Sequence, residues 1–162
     1  MDGWRLRGLA AFADAGHATI LAYEVDCGSD WITRRADVCG HAGGAAVHAA
    51  FERSAGGVWT LNGVEAPAVE GCLDIDFGFT PATNLLQLRR EAMAVGERRA
   101  FEVAWWEFGE LVRLAQFYRR LTETTYQYDS PQGYSAVLEI GAAGFVTHYP
   151  TLWAAEGHPA SR

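Results

Sequence analysis

The chain has 162 residues, enough for one domain with a substantial core, and 49% of the residues are hydrophobic. Its formal net charge of −7 argues against non-specific nucleic-acid binding, which needs a basic surface, and against electrostatic docking on anionic membranes. We expect a single domain over residues 1–162, with a core at about 17–153, an N-terminal arm at 1–16 and a C-terminal tail at 154–162.

The three cysteines, Cys27, Cys39 and Cys72, are an odd number without a pairable spacing. This usage is typical of reduced thiols, so we expect a cytoplasmic protein without a disulfide framework. The short apolar run at 8–13 ends at Asp14 and is a poor signal peptide, and no later run is long enough to span a membrane. The histidines lack the spacing of metal ligands, and no phosphate loop, dinucleotide fingerprint or nucleophile elbow occurs. We therefore expect neither a metal nor a cofactor.

Runs of alternating polar and apolar residues, separated by turn residues, recur through the first half of the chain. Such alternation predicts strands, because successive side chains of a strand point to opposite faces. The first sixteen residues are either an edge strand or an arm. The predicted strands that follow are 17–26, 31–39, 45–53, 58–61 and one that begins at Gly71.

The second half contains one stretch that fits two structures. We predict an extended segment at 85–93, followed by a hairpin into a strand at 100–107. The alternative is a helix with Thr80 as its N-cap and Pro81 as its first residue. A second helix is predicted at 111–117. The remaining predicted strands are 118–128, 134–140 and 145–149.

Short, regularly spaced turns are typical of antiparallel all-β domains. The segment 49–58 also resembles the segment 136–145, and a strand with an Arg-Arg doublet precedes each of them. We interpret this as two related β-meander halves, although two alanine-rich hairpins can also resemble each other by chance. The predicted fold is all-β with little helix: a single antiparallel, strongly curved sheet rolled into an open or closed barrel.

The segment 71–90 concentrates charged and hydrogen-bonding residues in one short stretch. A strand there places Asp74 and Asp76 on one face, where two carboxylates need water or cations. The doublet Arg89-Arg90 ends the segment and, on a strand, sends one guanidinium to each face. We therefore expect one of these arginines to point inward and to pair with the face of the two aspartates.

A set of short motifs is spread along the chain: Asp30-Trp31-Ile32-Thr33-Arg34, Gly71-Cys72-x-Asp74-x-Asp76, Thr80-Pro81-Ala82-Thr83-Asn84, Arg89-Arg90, Gln116-Phe117-Tyr118-Arg119-Arg120-Leu121, Tyr126-Gln127-Tyr128 and Tyr149-Pro150-Thr151-Leu152-Trp153. In this order, from about residue 17 to residue 153, they resemble the bacterial putative glycolipid-binding family. The pattern departs at Gln87 and Ala115, where we expect proline. The resemblance implies an architecture similar to lipoprotein carriers and mycobacterial glycolipid carriers, which hold acyl chains in a half-barrel.

A barrel of about eight or more strands can enclose one small ligand. Aromatic faces suit sugar rings and acyl chains, whereas arginine forks suit phosphate or carboxylate groups. The residues alone therefore indicate an amphipathic ligand, and the resemblance implies a glycolipid or lipid held without catalysis. Each side chain taken singly also fits an ordinary core position. The candidate ligand-binding residues are Trp31, Arg34, Trp59, Asp74, Asp76, Thr80, Thr83, Asn84, Arg89, Arg90, Trp105, Tyr118, Arg120, Tyr126 and Tyr128.

Two other functions stay open. An enzyme on the same barrel could use Asp76 with an inward arginine on a small anionic or sugar-containing substrate. The arginines considered for this role are Arg34, Arg89 and Arg120. The third hypothesis is an interaction module without a ligand, whose polar inner face is a sealed network of ion pairs. The volume and the lining of the interior separate the three hypotheses.

Overall fold

Strands dominate the computed structural model, which describes residues 3–14, 16–131 and 133–156. The first half of the chain contributes β1 (Gly3–Asp14), β2 (His17–Gly28), β3 (Thr33–Ala42), β4 (Ala45–Arg53), β5 (Trp59–Leu61) and β6 (Val64–Glu65). The second half contributes β7 (Asp74–Phe77), α1 (Leu85–Arg90), β8 (Arg98–Trp106), β9 (Val112–Arg120), β10 (Thr125–Asp129), β11 (Ser135–Ile140), β12 (Val146–Tyr149) and β13 (Trp153–Ala154). Short 3-10 helices lie at Pro67–Val69 and Pro81–Asn84.

The first sheet is an antiparallel meander of six strands, because every neighbouring pair from β1 to β6 is consecutive in sequence. β1 pairs with β2 along its whole length, from Gly3 opposite Gly28 to Asp14 opposite His17. The N-terminal segment is therefore an edge strand, the first of the two structures that the sequence allowed. The strands predicted between residues 17 and 61 are confirmed as β2 to β5.

The second sheet begins with β7, which pairs in parallel with β8, and continues as an antiparallel meander from β8 to β13. It curls into a half-barrel. The predicted all-β, curved architecture with two meander halves is thus confirmed. Where a single antiparallel sheet was predicted, the two halves are separate hydrogen-bonded sheets, and β7 adds one parallel pair. The similar hairpins at 49–58 and 136–145 occupy the fourth and fifth places of the two meanders. The Arg-Arg doublets do not correspond, since one lies on the third strand, β3, and the other on the second strand of its meander, β9.

β7 lies between two hydrophobic clusters and sends alternate side chains to each side. Ile75 and Phe77 pack in the first cluster, with Leu21, Phe51 and Trp59 of the first sheet. The backbone NH of Thr33 donates to the carbonyl of Leu73 (3.0 Å), and the NH of Ile75 donates to the hydroxyl of Thr33 (3.2 Å), which ties β7 to β3. The two aspartates of β7 point to the opposite side, as the alternation predicted.

The extended segment predicted at 85–93 is wrong, and the helical alternative is correct. Thr80 has an extended backbone and its hydroxyl accepts from the NH of Ala82 (3.3 Å), while Pro81 begins the 3-10 helix that leads directly into α1. Proline at the first position loses no hydrogen bond, because the first amides of a helix have no partner within it. α1 then buries Leu85, Leu86 and Gln87.

The helix predicted at 111–117 is also wrong, since this segment belongs to β9. The apolar residues there are compatible with the period of a helix and with that of a strand. Pairing with β8 decides for the strand: Val112 lies opposite Trp105 and Arg119 opposite Arg98. The run predicted at 118–128 is divided by a turn between β9 and β10. At the C-terminal end β13 adds a short edge strand, and residues 157–162 of the expected tail lie outside the described residues.

Candidate ligand-binding groove

A half-open groove of about 1390 Å³ is lined by residues of both sheets. The edge strand β1 flanks it on the side of the first sheet, and β12 with the edge strand β13 flanks it on the side of the second sheet. The segment from Asp76 to Ala82, which connects β7 to α1, forms another part of its lining, together with Trp105, Leu114 and Gln116 from β8 and β9. The groove is thus built where the two sheets meet.

One wall of the groove is a cluster of aromatic rings around Phe79. Its ring stacks on Phe77 with centroids 5.2 Å apart, and it contacts Tyr23 at 5.9 Å and Phe108 at 6.2 Å. Trp106 closes the cluster from behind, 5.7 Å from Phe108. These rings form an apolar surface that offers dispersion contacts to hydrocarbon or to a sugar face.

Exposed apolar side chains gather at the mouth of the groove. Leu9, Phe108, Phe145, Leu152 and Trp153 are all solvent-exposed, and all of them line the groove. Within the described residues, four aromatic side chains are strongly exposed, and only Trp4 among them lies away from this mouth. Exposed apolar patches of this kind mark binding surfaces.

The floor of the groove carries a buried carboxylate, Asp76, whose exposed fraction is 7%. Its Oδ1 accepts from the hydroxyl of Thr83 (2.6 Å) and its Oδ2 from the Nε2 of Gln116 (2.7 Å). Burial raises the pKa of Asp76, and these hydrogen bonds oppose that shift only in part. The same Thr83 hydroxyl accepts from the backbone NH of Phe77 (3.1 Å). Thr83 therefore links the Asp76 carboxylate to the backbone of β7, the strand that carries it.

A network of neutral side chains continues from Asp76 beneath the floor. Gln116 receives hydrogen bonds on its Oε1 from Gln87 (2.9 Å) and from the hydroxyl of Tyr118 (3.4 Å). Asn84 donates to the Tyr118 hydroxyl (2.5 Å). The buried Oε1 of Gln87 has no hydrogen-bond partner in the described part of the chain. α1 therefore supplies the amide of Gln87 that holds Gln116, and Gln116 in turn orients Asp76.

Three tyrosine rings stand beside this floor. The ring centroid of Tyr128 lies 6.1 Å from that of Tyr149 and 6.2 Å from that of Tyr134, and the centroids of Tyr134 and Tyr149 are 5.8 Å apart. Tyr128 and Tyr149 line the groove together with Asp76. Burial, with a contribution from the charge of Asp76, raises the pKa of both hydroxyls, so both stay protonated at neutral pH.

The groove brings together a third of the residues that the sequence predicted for a site. Thr83 and Tyr118 lie just beneath the floor, where they bond to Asp76 and Asn84. Trp59 is fully buried in the first hydrophobic cluster, and its indole NH donates to the carbonyl of Cys72 (2.9 Å). The predicted residues that line the groove itself are Asp76, Thr80, Asn84, Trp105 and Tyr128.

The other predicted residues lie away from the groove. Arg90 pairs with Asp74, which confirms the predicted inward arginine, and its neighbour Arg89 donates to the carbonyl of Ala143 (2.7 Å) at the surface. Arg120 donates to the carbonyl of Met93 (2.7 Å).

Three further predicted residues also lie outside the groove: Tyr126, Trp31 and Arg34. Tyr126 is buried in the second hydrophobic cluster beneath the guanidinium of Arg120. Trp31 stacks on Trp4 with centroids 4.6 Å apart, and Arg34 is exposed. None of the predicted arginines lines the groove, so its described lining offers no guanidinium fork from that set.

Sequence reasoning missed Gln116, Phe79 and Tyr149. Gln116 was hidden by the helix predicted over its segment, although Leu114, Gln116 and Tyr118 alternate as a strand requires. Phe79 follows β7 in a turn, where no periodicity indicates which way a ring points. Tyr149 belonged to a matching motif without a role assigned to it, and Trp153 of the same motif lies at the groove mouth.

Comparison with known proteins identifies the family. Residues 1–155 match the family described as "Putative glycolipid-binding". The chain belongs to this family. A crystal structure of a DUF1089 family protein from Pseudomonas aeruginosa superposes with a TM-score of 0.81 at 25% sequence identity, covering 95% of this chain and 92% of that chain. No curated protein matches the chain.

Two features are absent from the residues that the structure describes. No group of three or more histidine, cysteine, aspartate or glutamate side chains there is placed to hold a metal ion. No helix in the same residues has the length and apolar character needed to cross a bilayer. The three cysteines are free thiols, with Cys27 and Cys72 buried and Cys39 exposed.

Proposed function

We propose that this member of the putative glycolipid-binding family is a non-enzymatic binding protein that holds an amphipathic lipid or glycolipid in the groove between its two sheets. The observation that carries the proposal is the pairing of a large aromatic wall with a polar floor in one cavity of about 1390 Å³. Pockets for small molecules usually have about 300–1,000 Å³ and a mainly apolar lining with a few polar groups. This groove is larger than that range, and a ligand with a long hydrocarbon chain and a polar head fits both its size and its division into an apolar wall and a polar floor.

The two ends of the groove suit the two parts of such a ligand. The exposed apolar residues at its mouth, among them Leu9, Phe108 and Leu152, are open to hydrocarbon from solvent or from another lipid surface. The floor offers the carboxylate of Asp76 and the amide of Asn84 to a polar head. Burying a hydrocarbon chain contributes about 0.8 kcal/mol per CH₂ group, so the apolar wall supplies most of the affinity and the floor supplies orientation.

Native mass spectrometry of the protein purified from an expression host tests the proposal. A bound lipid is expected on the wild-type protein and on Ala46→Trp, which enlarges an exposed residue of β4 outside the groove lining. Ala10→Trp, which fills the groove from β1, is expected to abolish the adduct. Folding of both variants is checked by circular dichroism. Wild-type protein that stays ligand-free after incubation with lipid extract would contradict the proposal.

An enzymatic alternative has one observation in its favour, the raised pKa of Asp76 in a groove. The arginines considered as its partners, Arg34, Arg89 and Arg120, are absent from the described groove lining. The ligand-free interaction module is the hypothesis that an empty groove in every preparation would favour. A cytoplasmic location stays a prediction from the unpaired cysteines.

A further inference from the structure

We propose that the floor of the groove binds a positively charged ammonium group, so that the ligand is an amine-bearing amphiphile with its nitrogen against Asp76. This inference rests on the proposed function, and it names the chemical class of the head group. It differs from the phosphate or carboxylate head that the arginine-rich sequence suggested.

The first argument is the missing counter-charge at Asp76. Its described partners, the Thr83 hydroxyl, the Gln116 amide and the backbone NH of Phe77, are neutral donors, and the described ion pairs include none to this carboxylate. A buried carboxylate without an opposite charge is costly, because neutral hydrogen bonds replace only part of its hydration, and the raised pKa of Asp76 reflects this cost. A cation beside Asp76 would favour the ionised form. The neighbouring Asp74 has the opposite arrangement, since Arg90 neutralises it. A cationic ligand group would supply the opposite charge at Asp76 that Arg90 supplies at Asp74.

The second argument is the sign of the charges around the cavity. The charged side chains that line it are Arg7, Asp76 and Glu107. Arg7 is exposed and forms an ion pair with Glu24, which leaves the two carboxylates as the uncompensated charges of the lining. An anionic head would therefore be repelled from the floor. A neutral hydroxyl could donate to Asp76 without neutralising it.

The third argument is the aromatic surface next to the carboxylate. Tyr128 and Tyr149 line the same cavity with their rings 6.1 Å apart, and Trp105 also contributes to the lining. Ring faces attract ammonium groups by about 0.5–2 kcal/mol, more when water is excluded. The electrostatic influence of Asp76 reaches both tyrosines. A carboxylate beside several rings offers an ammonium group both an opposite charge and attractive ring faces, whereas a sugar hydroxyl gains no charge neutralisation there.

Isothermal titration calorimetry with three ten-carbon probes below their micelle concentrations tests the inference. The probes are decylammonium, decyl β-glucoside and decanoate at pH 7.5. Decylammonium is expected to bind wild-type protein about tenfold or more tightly than decyl glucoside, and decanoate more weakly than both. Asp76→Asn is expected to remove the advantage of decylammonium while changing glucoside binding by less than about threefold.

Two further variants make the outcome decisive. Asp37→Asn changes the net charge equally on a half-buried residue that pairs with Arg35 outside the groove, so all three affinities should stay as in wild type. Tyr149→Leu should weaken decylammonium more than glucoside, which tests the inference even if Asp76→Asn fails to fold. Equal binding of all three probes would overturn the ammonium assignment and leave the proposed function standing. Absence of binding by every probe would overturn both.

Discussion

The guanidinium of Arg90 forms a two-point ion pair with the carboxylate of Asp74, with Nη2 2.7 Å from Oδ2 and Nε 3.5 Å from Oδ1. The side chains are 14% and 1% exposed, so the pair is almost completely removed from water. Arg90 also pairs with Glu91 at 2.7 Å and lies over the ring of Phe101. This single contact fixes the end of α1 to the start of β7, and with it the segment that forms the groove floor.

Removing the inward arginine should destabilise the fold much more than removing its neighbour. Arg90→Ala leaves Asp74 buried without a cation, and we expect a loss of about 3–5 kcal/mol in the free energy of unfolding. Arg89→Ala removes only a surface hydrogen bond to the carbonyl of Ala143, and we expect a loss below about 1 kcal/mol. Urea denaturation of both variants measures the difference. Equal and near-zero losses would show that the buried pair does not hold α1.

The carboxyl of Asp76 should make the stability depend on pH in the direction opposite to an ordinary salt-bridged aspartate. Its pKa is raised in the folded protein, so the folded state binds its proton more tightly than the unfolded chain does. The contribution is therefore complete below the ordinary value of 3.8 and is lost as pH rises through the raised pKa. Relative to Asp76→Asn, wild-type protein should lose stability as the pH is raised.

Urea denaturation at pH 4.5 and pH 8 checks this prediction as the difference between wild type and Asp76→Asn. The other carboxyl of β7, Asp74, also has a raised pKa because burial outweighs the influence of Arg90. It titrates in both proteins, so the difference reports Asp76 together with its electrostatic coupling to Asp74. A difference that is constant, or that grows in favour of wild type with pH, contradicts the assignment.

Gly8 on β1 is a position where a side chain would collide with the groove wall. It lies opposite Tyr23 in the register of β1 and β2, and a Cβ at Gly8 would stand 2.2 Å from the tyrosine ring. Gly8→Ala should therefore displace the ring and cost about 1–3 kcal/mol. In the background Tyr23→Leu the same substitution should be nearly neutral, which a double-mutant cycle measures. If Gly8→Ala lowers the free energy of unfolding equally in the Tyr23→Leu background, contact with the Tyr23 ring is not the cause of the loss.

The two buried glutamines of the floor should differ in their importance. Gln116→Leu leaves Asp76, Gln87 and Tyr118 each short of a partner, so we expect a loss of about 3 kcal/mol or more. Gln87→Leu removes a side chain whose Oε1 already lacks a partner, and Tyr118 still donates to Gln116, so we expect a loss of about 1 kcal/mol. Thermal unfolding compares the two variants. A larger effect at Gln87 would contradict the order of the network.

The fold was predictable from sequence because it follows from alternation. The strand from 45 to 53 was predicted with its observed bounds, and the alternation at β7 correctly sent Asp74 and Ile75 to opposite sides. The two errors, at 85–93 and 111–117, fall on short segments whose residues suit both helix and strand. Such segments are decided by packing: β9 by its pairing with β8, and α1 by burial of Leu86 in the first cluster.

The site was less predictable because a groove depends on how two sheets approach each other. Alternation indicates which face of β10 carries Tyr128, but it cannot show that this face meets Asp76 across a cavity. The arginines did not indicate the position of the site. In the doublet Arg89-Arg90, for example, the inward arginine forms an ion pair with Asp74 inside the protein and does not reach the groove. The polar residues that orient the carboxylate, Gln87 and Gln116, lie in the two segments whose secondary structure was wrongly predicted.

Chemical-shift mapping tests the central claim most directly, because it shows where an amphiphile binds. In a titration of ¹⁵N-labelled protein with decyl β-glucoside below its micelle concentration, the largest shifts should fall on residues of the groove, such as Asp76, Thr80 and Gln116. Shifts confined to the shallower cavity of about 660 Å³ on the outer face of the first sheet, around Ile20 and His41, would contradict the claim.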